Sequence, residues 1–233
     1  MNENLNNDST QRTRLLRFST MQLYMHRYAM LFVLGLIITA LPVLSKDIFS
    51  WVAVIFGGPA NLFFSGTDVV YQGVNVARLL HRILGVGLIV LSLLFIVWAL
   101  YFDDRKWEII RPRAKMGQLY NYYMRGIHER FGKYNPGQIF VFKLVMVYVI
   151  LAIISGLVMW FRSYFSLPMV RFAHLLHVVA FFIAIAELVV HVYFGIIFPP
   201  NRKGAVAMFG DGYMPEDFAK EHHEGWYEEV KKK

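Results

Sequence analysis

Hydrophobic residues in this chain gather into four long runs: Met21 to Leu44, Ile83 to Phe102, Ile139 to Phe161 and Phe172 to Phe198. Each has at least 20 residues, and a helix of roughly 20 apolar residues traverses a hydrocarbon core. Arg27, Lys143 and Glu187 are the only charged side chains within them. The pattern predicts an all-α membrane protein, a bundle of four transmembrane helices. A fifth run, Ile48 to Phe64, is interrupted by Gly57, Gly58 and Pro59, which weaken a spanning helix through flexibility and lost hydrogen bonding. It reads as a short interfacial or re-entrant element between helices I and II. The chain then divides into an N-terminal segment 1–20, a transmembrane domain 21–198 and a C-terminal tail 199–233.

Charge sets the orientation. With four spans, the segments on the side of both termini hold 17 Lys and Arg, against 5 on the other side. Cytoplasmic segments carry such an excess, so both termini are expected in the cytoplasm and the chain in the inner membrane of a prokaryote. A five-span arrangement would put the eight cations of 103–138 outside. The formal charge of +8 therefore reports orientation and gives no reason to expect a nucleic acid partner. The first run is long for a signal peptide and lacks a small-residue cleavage site, so it is expected to remain as an uncleaved span. The tail beyond Asn201 alternates acidic, basic and aromatic residues. It reads as a solvated extension on the cytoplasmic face, with Trp226 and Tyr227 able to anchor it at the interface or on a partner.

Composition narrows the chemistry. The chain is 57% hydrophobic and has no cysteine, which excludes disulfides, thiolate nucleophiles, zinc–thiolate sites and cysteine-held iron–sulfur clusters. Eight histidines remain. By depth, His26 and His191 lie near the inner surface, His81 and His177 near the outer one. His177 and His191 are 14 residues apart, which on a helix leaves them within roughly 40° of one face and separated by about 21 Å. One helix thus offers a nitrogen ligand in each leaflet, and other helices supply the opposing ligand. Two bis-histidine haem sites stacked across the membrane explain this economically, because paired imidazoles give six-coordinate iron suited to electron transfer. The alternative is four hydrogen-bonded structural histidines in a haem-free anchor or small transporter.

Neighbouring residues carry weaker signals. Gly85 and Gly87 follow His81 and would admit either a porphyrin edge or a closely packed helix. His174 suits a solvated or propionate-bonding role; His128, His222 and His223 read as surface residues. Glu187, one turn before His191, is costly in a membrane and reads either as a proton relay or as a structural pair with Lys143 or Arg27.

The segments RLLHRILG (78–85), GKYNPGQ (132–138), SGLVMW (155–160), VRFAHLLH (170–177), HVY (191–193) and AKEHHEGWYEE (219–229) together resemble the gamma subunit of membrane-bound formate dehydrogenase. The similarity runs from about residue 12 to the end. It implies a di-haem cytochrome b with two haem b groups, held by His26 with His191 (inner) and His81 with His177 (outer). It also implies a quinone site, for menaquinone or ubiquinone, at Asn135, Gln138 and His191. From the residues alone, Asn135 to Gln138 read equally well as an Asn-Pro-Gly turn that starts a helix. The implied partners are an iron–sulfur subunit at the outer surface and a molybdenum or tungsten catalytic subunit, in a respiratory complex that can assemble further. The chain itself would carry electrons and reduce quinone, with no substrate-oxidising centre. The alternative that the resemblance leaves open is the related cytochrome b subunit of a nickel–iron hydrogenase or of another molybdenum or tungsten oxidoreductase. The 55 residues from His26 to His81 exceed the family spacing, which leaves the outer docking surface open.

Overall fold

The computed structural model describes residues 13–63, 68–102, 107–111, 113 and 115–232. Along the chain run β1 (Arg14–Leu16), α1 (Thr20–Leu44), α2 (Ser50–Asn61), α3 (Val69–Tyr101), α4 (Trp107–Ile110), α5 (Met116–Arg125), α6 (Pro136–Trp160), α7 (Leu167–Val192), α8 (Arg202–Phe209), β2 (Tyr213–Pro215), α9 (Glu216–His222) and α10 (Glu224–Lys231). Helices α1, α3, α6 and α7 are long and apolar enough to cross a membrane. Their outward faces expose Leu31, Leu93, Val147, Phe182 and Val189, side chains that a lipid environment accommodates and water does not.

Three of the four long helices begin at side-chain caps. Ser19 and Gln22 form a reciprocal capping box before α1, Asp68 accepts from the Val70 and Tyr71 amides before α3, and Asn135 with Gln138 forms a second box before α6, where Pro136 fits the first turn. Within the bundle α1 packs closely on α3, and α6 on α7. Close backbone approaches between these two pairs are few. The seam between the pairs is closed at mid-depth by Leu88, Tyr148, Val149, Ala180 and Ala184, with Phe32 and Leu36 against them.

Four expectations change here. Helix α3 begins at Val69, well before Ile83, so His81 lies inside a helix; Gln72, Asn75 and Arg78 lower the hydropathy there without interrupting the helix. At about 1.5 Å per residue, its 33 residues overrun a roughly 30 Å hydrocarbon core by about 20 Å. The broken apolar run forms α2, which continues through Gly57, Gly58 and Pro59 and packs on the overrunning end of α3. A Cβ at Gly57 would lie 2.0 Å from the Val69 carbonyl oxygen, and one at Gly73 1.8 Å from that of Ala53. The glycines therefore let two backbones touch. Twelve residues give about 18 Å of helix, too short to span.

The tail is also no solvated extension. Strand β2 pairs antiparallel with β1, Leu15 opposite Met214, so the two ends of the described chain meet at one end of the bundle. Met214, Phe218, Ala219 and Trp226 form a buried core there, with Trp226 only 1% exposed. His223 is buried, its Nδ1 2.9 Å from the Gly132 carbonyl oxygen, and Gly225 N–H donates to Phe131 O at 3.0 Å. His222 is half-buried and meets the Tyr122 hydroxyl at 2.6 Å. Of the three histidines expected at the surface, only His128 is exposed, beside Glu224. The tail folds into a cap because its alternation follows short amphipathic helices, whose apolar sides close on β1, α5 and the segment before α6.

Candidate functional site

Two histidine pairs face each other across the seam. His26 on α1 meets His191 on α7 with ring centroids 6.1 Å apart, and His81 on α3 meets His177 on α7 at 6.0 Å. Both pairings are those expected from depth. The spacing suits one shared metal: two imidazole nitrogens each about 2 Å from one ion, with each ring centre about 1 Å further back, put the centroids roughly 6 Å apart.

Hydrogen bonding at the outer pair selects a tautomer. Thr39 donates its single proton to the Gly35 carbonyl at 2.7 Å, so at 3.1 Å from His81 Nδ1 its oxygen accepts and the imidazole donates. His177 Nδ1 lies 3.1 Å from the Ala152 carbonyl, which only accepts, and 3.0 Å from Ser155 Oγ, whose proton goes to Leu151 O at 2.5 Å. Both rings therefore carry the proton on Nδ1 and present an Nε2 lone pair. A metal-bound histidine is oriented in this way. Thr39 and Ser155 were not foreseen from sequence; their one signal is a hydroxyl at the depth of the outer histidines. Gly85 faces open space, with nothing within 4 Å of an added Cβ, whereas a Cβ at Gly87 would lie 2.4 Å from Phe32 Cε1. The two readings thus divide: Gly87 packs against a helix, and Gly85 leaves a gap one turn from His81.

At the second pair, His26 Nδ1 is buried without a hydrogen-bond partner among the described residues. Glu187, buried on α7, accepts from the Tyr148 hydroxyl at 3.3 Å, and its other oxygen lies 3.8 Å from His191 Nδ1. Arg27 is turned elsewhere, donating to the Phe209 and Gly210 carbonyls at 2.8 and 2.9 Å, where it caps α8. It is no partner for Glu187. After Val192 the helix loosens into a π-helical turn, Tyr193–Ile197, a feature frequent at functional sites. Exposed His174 joins neither pair.

Asn135 and Gln138 come together as the α6 capping box, at 2.9 and 3.1 Å. Arg17, fully buried, donates to Gln138 Oε1 at 3.3 Å and to Lys133 O at 2.8 Å; burial pushes its guanidinium down to about 10. The helix-start reading of this turn is therefore correct as structure, and the buried Asn135 turns its side-chain amide toward Tyr123.

A family model described as prokaryotic cytochrome b561 matches residues 17–211, which include all four long helices and both histidine pairs. The chain belongs to the prokaryotic cytochrome b561 family. It is a multi-pass membrane protein, and membership in this family implies haem b. Its residues fit that group: no cluster of three His, Cys, Asp or Glu is present among the described residues, and a haem iron asks for two protein ligands, where a structural zinc ion takes four. Curated relatives include the formate dehydrogenase cytochrome b556(fdo) subunit of Escherichia coli K12, 36% identical over 104 residues, 43% of this chain and 47% of that one. The nitrate-inducible cytochrome b556(Fdn) subunit of the same organism is 32% identical over 104 residues, 43% and 46%. The formate dehydrogenase cytochrome b556 subunit of Haemophilus influenzae is 34% identical over 101 residues, 42% and 41%. The chain thus matches somewhat less than half the length of these relatives.

Proposed function

We propose that this chain is the di-haem cytochrome b subunit of a formate dehydrogenase, carrying electrons from an outer iron–sulfur subunit across the inner membrane to quinone. The observation that carries the reading is the meeting of two imidazole pairs, each with one ring on α7 and the two levels 14 residues apart along it, with the His81 and His177 pair locked in the ligand tautomer. The names of the relatives supply the enzyme. The basic excess on the side of the cap supports a cytoplasmic cap and cytoplasmic termini, with α2 outside.

His26 with His191, and His81 with His177, would each hold a haem b, which would supply one-electron transfer at that level. Thr39, Ser155 and the Ala152 carbonyl aim the outer imidazoles and, by accepting from Nδ1, raise their basicity. Leu88, Ala180 and Ala184 exclude water between the two levels. Asn135, Gln138 and His191 are the quinone-binding residues. The capping box and Arg17 hold the first two rigid, with the Asn135 side-chain amide turned toward the Tyr123 hydroxyl. Glu187, bonded to Tyr148 and facing His191, holds a proton at its carboxyl group on the inner side and acts as the relay. The catalytic subunit with molybdenum or tungsten lies beyond the iron–sulfur subunit, and the quinone is menaquinone or ubiquinone.

The reading is tested by His81→Ala and His191→Ala in separate purified complexes. Each should lose one haem and keep the other in the reduced-minus-oxidised spectrum. Loss of both haems from each variant would point to a folding role for these histidines.

A further inference from the structure

The Tyr123 hydroxyl, on α5, stands where the α6 cap meets the end of α7. Asn201 donates its Nδ2 to this oxygen at 3.2 Å and to the Phe194 carbonyl at 2.9 Å. The Asn135 side chain also faces it, and since Asn135 Oδ1 already accepts from the Gln138 amide, the amide is the group turned to the phenol. A phenol oxygen has two lone pairs and one proton. Two amide donors take the lone pairs, and the proton has no acceptor among the described residues.

The ring is held as firmly as the oxygen. Phe194 and Phe198 lie against it with centroids 5.7 and 5.3 Å away. Phe194 belongs to the π-helical turn that starts two residues after His191. The wider turn leaves C-terminal carbonyls unpaired, and Asn201 with Arg202 satisfies those of Phe194, Ile196 and Ile197. The same segment therefore carries the inner histidine's helix, an aromatic wall and the amide that orients Tyr123.

We propose that Tyr123 is a quinone-binding residue of this chain, its O–H donating to a carbonyl oxygen of the quinone ring with Phe194 and Phe198 beside the ring plane. The assignment rests on the quinone reading above and deepens it. Asn135 then acts in part through Tyr123, as the group that occupies a lone pair and turns the phenol proton outward. The acceptor is a quinone carbonyl because the site offers one neutral donor against an aromatic wall, which suits an uncharged planar ring bearing oxygen.

The test uses membranes containing the intact complex, with menadione oxidising the reduced haems. Tyr123→Phe keeps the ring and removes the donor. It should raise KM for menadione several-fold to about tenfold, the range for one lost hydrogen bond, with kcat at saturating menadione and both haem spectra unchanged. Asn201→Leu, which frees a lone pair and unsettles the phenol, should raise KM in the same direction by less. An unchanged KM in Tyr123→Phe overturns the assignment. If Tyr123→Phe fails to assemble, Asn201→Leu decides: a change in haem content without a change in KM assigns a structural role only. Wild-type haems that menadione does not reoxidise overturn the quinone reading itself, and this assignment with it.

Discussion

Thr39 and Ser155 decide which nitrogen each outer histidine presents. Each hydroxyl spends its proton on a carbonyl one turn back in its own helix and receives the imidazole N–H. Thr39→Val and Ser155→Ala should each weaken outer haem retention about ten- to a hundredfold, the usual cost of losing such a partner. Haem loss to apomyoglobin measures this; equal loss rates in wild type and both variants would contradict it. The four histidines were legible from sequence, because depth and a 14-residue spacing on one helix are written in the chain. The hydroxyls were not, since Ser and Thr in apolar helices commonly bond their own backbone and only the tertiary contact shows the second role. Glu187 was legible as costly, but its Tyr148 partner on another helix was not.

At the scale of elements, glycine contact joins α2 to α3. Gly73→Ala should push the helices apart and cost about 1 to 3 kcal/mol, seen as a lower melting temperature in detergent. Gly58→Ala, where nothing lies within 4 Å of the new Cβ, should be neutral or stabilise by up to about 1 kcal/mol. Equal melting of the two variants would show that the contact carries no stability. The four spans were legible because hydropathy reads lipid exposure directly. The start of α3 and the unbroken course of α2 through Gly57, Gly58 and Pro59 were not, because the glycines that weaken a lone helix become assets once a second backbone lies against them. The tail misled for a related reason: its helices have seven and eight residues, and short mixed-charge segments form only when a partner buries one side.

In the molecule as a whole, the cap ties the two ends of the described chain to the His26 and His191 end of the bundle, and its stability should depend on pH through His223. Burial and the nearby Arg17 push this imidazole from 6.5 down to about 3. An unfolded cap binds a proton below about 6.5 and the folded one does not until about 3, so stability is level above pH 6.5. It falls as pH drops between the two values, by about 1.4 kcal/mol per unit. Hydrogen exchange over residues 218–231 should therefore speed up in its opening equilibrium by about 25-fold between pH 7 and pH 5, after correction for intrinsic rates. His223→Asn should abolish most of that change; an equal change in the variant would contradict the assignment to His223.

The central claim is that this single chain holds two haems between two histidine pairs. A pyridine haemochrome assay on the purified complex, set against the molar amount of this chain, measures it directly. The account predicts two haem b per chain; a value near one would leave a pair without its metal, and a value near zero would contradict the account.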